Sequence, residues 1–270
     1  MINVEYRGII HLNSKNLRSG NGLMRKVGLF LWFSFVFPAH IVLFLVIPSF
    51  AQHMPADSKK LGSLIDMGKY QEVINLTAGA QSDPSDPESL YYRGRAYSGL
   101  AKRSSAIKDF TEAISLDSRN SDYYIHRGVT FLENGQASEA ISDFTAALKL
   151  KPDNIGALNH RAKAWMLTGQ TAKAMEDING AIRLASSNPD LYKLRADILS
   201  GSKSFEDAVV DYNRAIDLAP YAAAIYNNRA VALANINRPK EAIEDLNSAM
   251  ELSTTRPNSA ASPVFQGSQW

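Results

Sequence analysis

The sequence has no cysteine and only five histidines in 270 residues. Without cysteine there is no disulfide, no thiolate zinc site, no cysteine nucleophile and no lipid on an N-terminal cysteine. The histidines are scattered, so no metal cluster is indicated and no cofactor is expected. An excess of one charge is also missing. The net +2 divides into five bases and one acid over residues 1–51, and 24 bases against 26 acids beyond them. A mildly acidic body with mixed signs has no electrostatic footprint for nucleic acid. At 21% charged residues the chain is not a multi-span membrane protein, and at 45% hydrophobic it is not wholly disordered. Ser-His-Asp order, a phosphate-cradling glycine loop, HExxH and an isolated carboxylate pair are all absent, which argues against an enzyme.

What is present begins with the basic segment. Arg25-Lys26 precedes the apolar stretch 27–50, broken by Ser34, Pro38, Ala39 and His40, and small residues stand at Ser49 and Ala51. A basic start, an apolar core and a small-x-small exit read as a secretory signal over residues 1–51, cleaved after Ala51. Met24 offers a second start immediately before it. The stretch is also long enough to span a bilayer, so an uncleaved anchor is the alternative, with Pro38 and His40 weighing against it. Both readings put the body of the protein across the membrane, periplasmic or extracellular, with residues 27–50 as its membrane contact only if they are retained.

Displaced by 34 residues, the chain matches itself. Small residues recur at Gly94, Gly128, Ala162, Ala196 and Ala230, and at Ala106, Ala140, Ala174, Ala208 and Ala242. Large apolar residues recur at Phe110, Phe144, Ile178, Tyr212 and Leu246. Each unit reads as two antiparallel helices, A and B, the first started by pairs such as Asp86-Pro87 and Asn188-Pro189. Gly135, Gly169 and Asn237 suit the left-handed residue that ends helix A, whereas Ala101 and Lys203 do not. Neither helix covers its apolar face alone, so the units must stack. The spacing places Trp165 in the buried centre of such a stack.

These positions resemble the tetratricopeptide repeat family. Its series of aromatic or Leu, Leu/Arg-Gly, Tyr, Ala, Phe, Ala and Pro is matched by Tyr124, Arg127-Gly128, Phe131, Ala140, Phe144, Ala147 and Pro152. The fourth unit gives Tyr192, Ala196, Leu199, Ala208, Tyr212, Ala215 and Pro220. The likeness covers five units over residues 87–256 and, more faintly, a divergent partial repeat within 52–86. It implies an all-α fold, an α-α superhelical solenoid of helix hairpins, whose concave face, lined by the A helices, grips a protein or an extended peptide.

Two recurrences invite a catalytic reading. Arg93, Arg127, Arg161, Arg195 and Arg229 keep the period, and so do Asp109, Asp143, Asp177, Asp211 and Asp245. Structural contacts repeat with an architecture whereas active sites are single, so these read as ion pairs between helices A and B of each unit. His126 and His160 read as helix-surface residues, because no third ligand joins them.

By family analogy the groove residues are Tyr91, Arg95, Ile125, Val129, Leu132, Asn159, Lys163, Met166, Lys193, Asp197, Asn227 and Val231. A Lys/Asn clamp for chaperone C-termini is incomplete, because Asp197 stands where Asn is required. Beyond Leu252 the chain is polar and broken by Pro257 and Pro263, so residues 257–270 read as a disordered tail that leaves Ile243, Leu246 and Met250 facing water. That patch is a candidate interface, with a homodimer through the C-terminal repeat as one way to cover it. The functional expectation is an exported interaction scaffold, with assembly of an envelope or secretion complex as one role it would fit. A structural module without a free peptide ligand and an accessory activator of an enzyme are the alternatives.

Overall fold

The computed structural model describes residues 57–78 and 86–255, and every regular element among them is a helix. The leader, the export signal and the tail expected from the sequence lie outside the described residues. Among the described residues no helix is long and apolar enough to cross a membrane.

A short hairpin comes first, α1 (Ser58–Asp66) and α2 (Tyr70–Ala78). Three longer hairpins follow: α3 (Pro87–Gly99) with α4 (Arg103–Leu116), α5 (Ser121–Glu133) with α6 (Ala137–Leu150), and α7 (Ile155–Leu167) with α8 (Thr171–Leu184). The last two are α9 (Pro189–Gly201) with α10 (Phe205–Leu218), and α11 (Ala223–Asn235) with α12 (Pro239–Thr255). Each helix packs on its hairpin partner and on the first helix of the next hairpin. Successive A helices also approach one another, α3 to α5, α5 to α7, α7 to α9 and α9 to α11, forming a continuous row. The result is the α-α solenoid of tetratricopeptide-like hairpins expected from the period.

Four of the five A helices of the complete hairpins start on side-chain caps, the exception being α11 after Ala222. Asp86, Asn120, Asn154 and Asn188 each accept a hydrogen bond from a backbone N–H of the first turn, with Pro87 and Pro189 at the first helical position. The B helices start differently, from the turn itself. In every complete hairpin two bonds close the A helix, as when Gly135 N–H donates to Leu132 O at 3.0 Å and Gln136 N–H to Phe131 O at 2.8 Å. That closure imposes a positive φ on the residue between the helices. Gly135 and Gly169 accept it freely, but Ala101 (φ 56°), Lys203 (φ 66°) and Asn237 (φ 60°) adopt it as well. Ala101 and Lys203 therefore keep the same turn at the cost of left-handed strain.

Packing follows the recurrent small and large positions. A methyl group on Gly94 would lie 2.7 Å from Phe110 Cε1, and one on Gly128 2.8 Å from Phe144 Cε1. Glycine therefore stands where phenylalanine faces it, while Ala162 and Ala196 share their clusters with Ile178 and Tyr212. The buried clusters straddle the hairpins. Ile125 and Phe144 share one with Ala157 of the next unit, and Ala162 and Ile178 share another with Leu191 and Ile198 of the unit after. The hydrophobic core is thus a row of junctions, none belonging to one unit. Trp165, expected at the buried centre, is half-buried at the edge of such a cluster, with Lys173 Nζ 4.4 Å from its ring centroid.

The Arg–Asp series pairs within each unit. Arg161 donates from Nε and Nη2 to the two oxygens of Asp177, both at 2.7 Å, and the other four pairs repeat this fork. The aspartates are buried, so each depends on its arginine for compensation. A second contact had no signal in the pairing pattern. Arg127, Arg161, Arg195 and Arg229 each donate Nη1–H to the preceding unit, at Thr111, Thr145, Asn179 and Asn213, over 2.7–3.1 Å. One side chain therefore ties helix A to its own B helix and to the B helix before it.

Candidate functional site: the row of A helices

Along an A helix, most side chains are consumed by packing. Those left for a ligand fall at the fifth and ninth places of each unit, one turn apart on one face. The structure divides them into three stretches.

The first is aromatic. Tyr91 on α3 lies 5.1 Å, ring centre to ring centre, from Tyr92, Tyr123 and His126, and the Arg95 guanidinium stands 5.6 Å over its ring. Burial pushes the Tyr91 phenol up and Arg95 pulls it partly back, so the hydroxyl stays protonated and sits 3.3 Å from His126 Nδ1. Tyr91 and Arg95 are both half-buried.

The middle stretch is mixed. Ile125, expected in the groove, is instead 5% exposed and buried in the cluster with Phe144 and Ala157, because α6 and α7 close over it. It offers nothing to a partner. Val129, Leu132 and Met166 are half-buried against the same clusters, Lys163 is exposed, and Asn159 is half-buried. The Asn159 carboxamide oxygen is shielded from solvent and has no hydrogen-bond partner among the described residues.

The third stretch is a polar knot. Lys193 Nζ lies 2.8 Å from Asp197 Oδ2, while Asp197 Oδ1 accepts from the Tyr212 hydroxyl at 2.6 Å and from Asn228 Nδ2 at 2.9 Å. Asp197 thus takes three donors from α9, α10 and α11, a junction contact that its groove position did not reveal. Burial and the Asp197 carboxylate both raise the Tyr212 phenol. Beyond the knot, Asn227 and Val231 are exposed.

The histidines, expected on the helix surface, are partly buried against aromatic rings. His126 packs against Tyr91 and Phe110, and His160 stacks on Phe144 with centroids 5.6 Å apart and ring planes 18° from parallel. Each occupies the place on an A helix that covers the large residue of the preceding B helix. Burial lowers both imidazoles to about 4, with Arg95 adding to the effect at His126 and Lys163 at His160. Among the described residues no group of three or more acids and histidines could hold a metal ion. A cavity of about 420 Å³ opens between α10, α11 and α12, but its charged lining includes the committed pair Arg229 and Asp245.

Ile243, Leu246 and Met250 lie on the last B helix, exposed by 59%, 50% and 64%. Their counterparts one unit earlier, Val209 and Tyr212, are 6% and 2% exposed. The apolar patch expected from the sequence is therefore present on the described residues.

Models of the tetratricopeptide repeat match residues 131–198 in one case, and 91–155 and 194–259 in another. No curated protein matches the chain in sequence. Among solved structures, MamA superposes with a TM-score of 0.56 at 18% identity, covering 61% of this chain and 96% of that one. MamA 41-end from Desulfovibrio magneticus RS-1 gives 0.58 at 16% identity, covering 63% and 96%. YrrB, described as a TPR protein with an unusual peptide-binding site, gives 0.52 at 16% identity, covering 70% and 95%. At these identities the likeness concerns the fold, and the repeat models carry the assignment. With its period, its paired helices and its Gly–Phe and Arg–Asp contacts in place, the chain belongs to the tetratricopeptide repeat family.

Proposed function

We propose that the protein is an exported, non-catalytic scaffold that holds an extended segment of a partner protein along its row of A helices. The observation that carries this reading is the division of labour on those helices. Buried places are spent on the junctions, while Arg95, Lys163, Asn227 and Val231 stand on the ligand-facing places with no part in a buried cluster. The row mixes cationic, amide and aliphatic groups, which suits backbone amides and alternating side chains better than a single charged group. The shielded, unsatisfied oxygen of Asn159 supports it further, since such an atom in a folded protein calls for a donor. Similarity to a repeat protein with a peptide-binding site points the same way. The basic and apolar segment over residues 25–51, with its Ser49 and Ala51 exit, supports export and a partner in the envelope or secretion apparatus.

Site-specific photo-crosslinking in the producing cell tests this. A crosslinker at Lys163 or Val231 should capture a defined partner, and one at Val210, 65% exposed on α10, should not. Equal capture from all three positions, or none from the A-helix row, would remove the peptide-holding role. Sequencing the mature N-terminus, with Gln52 expected first, checks export separately.

A further inference from the structure

Four junctions inside this molecule show what the outward face of a B helix binds. In each, the next A helix places an apolar or small residue on the seam at its third position: Tyr123, Ala157, Leu191 and Ile225, all at most 5% exposed. Four residues later the arginine reaches back to an oxygen on the B helix, at Thr111, Thr145, Asn179 or Asn213. Three residues after that, Thr130, Ala164, Ile198 and Ala232 are buried, Ile198 and Ala232 in the same clusters as Leu191 and Ile225. The spacing puts all three on one helix face.

On α12 the receiving half of such a junction is present again. Leu246 occupies the place of Phe110, Phe144, Ile178 and Tyr212, flanked by Ile243 and Met250. Asn247 occupies the place of Asn179 and Asn213, with the same carboxamide, and is exposed. Glu244 and Glu251, also exposed, make the surroundings acidic.

We infer that the face formed by Ile243, Leu246, Asn247 and Met250 is a docking site for an amphipathic helix of a different protein. That helix carries an arginine with an apolar residue four places before it and a small or apolar residue three places after it. The site continues an interface already made four times, and this sets the chemistry of its occupant. The residues between α12 and Pro263 do not meet it. The A helices that fill the internal junctions are 13 residues long, and residues 256–262 are too few for one before Pro263 interrupts it. A second copy does not meet it either. Its α12 face carries no arginine, and the outward residues of its α1, Lys59, Lys60, Ser63 and Asp66, are polar. The acidic rim complements an incoming arginine. This site is separate from the ligand-facing places of the A-helix row.

The test uses the full chain and a defined probe: a synthetic peptide of residues 188–204, stapled on its outer face to hold the helix, with Leu191, Arg195 and Ile198 on the binding face. Fluorescence anisotropy should show saturable binding to the protein. Leu246→Asp, which alters an exposed side chain and should leave the circular dichroism spectrum intact, should abolish it. Arg195→Gln in the peptide, or Asn247→Ala in the protein, should weaken it about tenfold, the value of a hydrogen bond to a charged donor. Lys163→Glu should leave it unchanged. The inference is overturned if the well-folded protein does not bind the peptide, or if Arg195→Gln binds equally well. It is also overturned if binding appears only after deletion of residues 256–270, which would give the face to the tail. Light scattering that shows a dimer dissociated by Leu246→Asp would give it to a second copy.

Discussion

At one end of the described array, α1 buries Leu61, Leu64 and Ile65 and turns Lys59, Lys60, Ser63 and Asp66 outward. At the other, α12 leaves Ile243, Leu246 and Met250 half to two-thirds exposed. The first is a nine-residue A helix and the last a 17-residue B helix, and both bury one face against their own hairpin. What differs is the outward face, polar on α1 and apolar on α12. Burial in this fold is a property of the junction, so a residue of given type at a given place is core in one unit and surface in another. The N-terminal hairpin does for α3 what each complete unit does for its neighbour, and its own outer face is polar, as suits a terminal unit.

The largest effect lies between the ends. Arg161→Ala would strand the buried Asp177 carboxylate and release Thr145 of the preceding unit. A loss of about 3–5 kcal/mol is expected in urea denaturation. Asp177→Ala should also be costly, and the double variant should lose less than the two added, because the pair acts as one unit. Additive losses would mean that the fork does not couple the helices.

At the closed end, Leu61 is 2% exposed. Leu61→Ala should cost about 2–5 kcal/mol if α1 is an integral cap. A cost near zero would mean that α1 and α2 only rest on α3, and the contrast between the ends would disappear.

Acid should act on the middle of the stack. Folded His126 and His160 hold their imidazoles down at about 4, against 6.5 in the unfolded chain. Between those values the unfolded state binds more protons, so the stability these groups allow is complete above about pH 6.5 and falls as the pH drops toward 4. Thermal melts from pH 7.5 to 4.5 should show this decline, and His160→Leu should flatten it. An unchanged slope in that variant would show that His160 is not buried neutral.

The smallest effect concerns the turns. Ala101→Gly and Lys203→Gly relieve a left-handed φ and should each stabilise by about 1 kcal/mol. Gly135→Ala should do the reverse.

Much of this was legible in the sequence. The register, the hairpins and the Arg–Asp pairs follow from the period, because partners fixed by architecture must recur with it. Spacing places a side chain on a helix face but does not say which neighbour fills the space beyond. Ile125 was therefore expected in the groove and is core, His126 and His160 were expected on the surface and cover aromatic rings, and Trp165 was expected inside and is half-exposed beneath Lys173. Ala101 and Lys203 look wrong for their turns, yet the closing hydrogen bonds impose the same geometry on them. The Asp197 knot leaves no periodic signal in the sequence because its three donors come from three helices.

The open end is tested most directly by one pair of substitutions at equivalent places. Ile178 is fully buried and Leu246 is 50% exposed. Measured side by side in urea, Ile178→Ala should cost about 2–5 kcal/mol as a core truncation, and Leu246→Ala less than about 1 kcal/mol. Equal losses at the two positions would show that the last seam is covered within the isolated chain, and would contradict the account of an array closed at one end and open at the other.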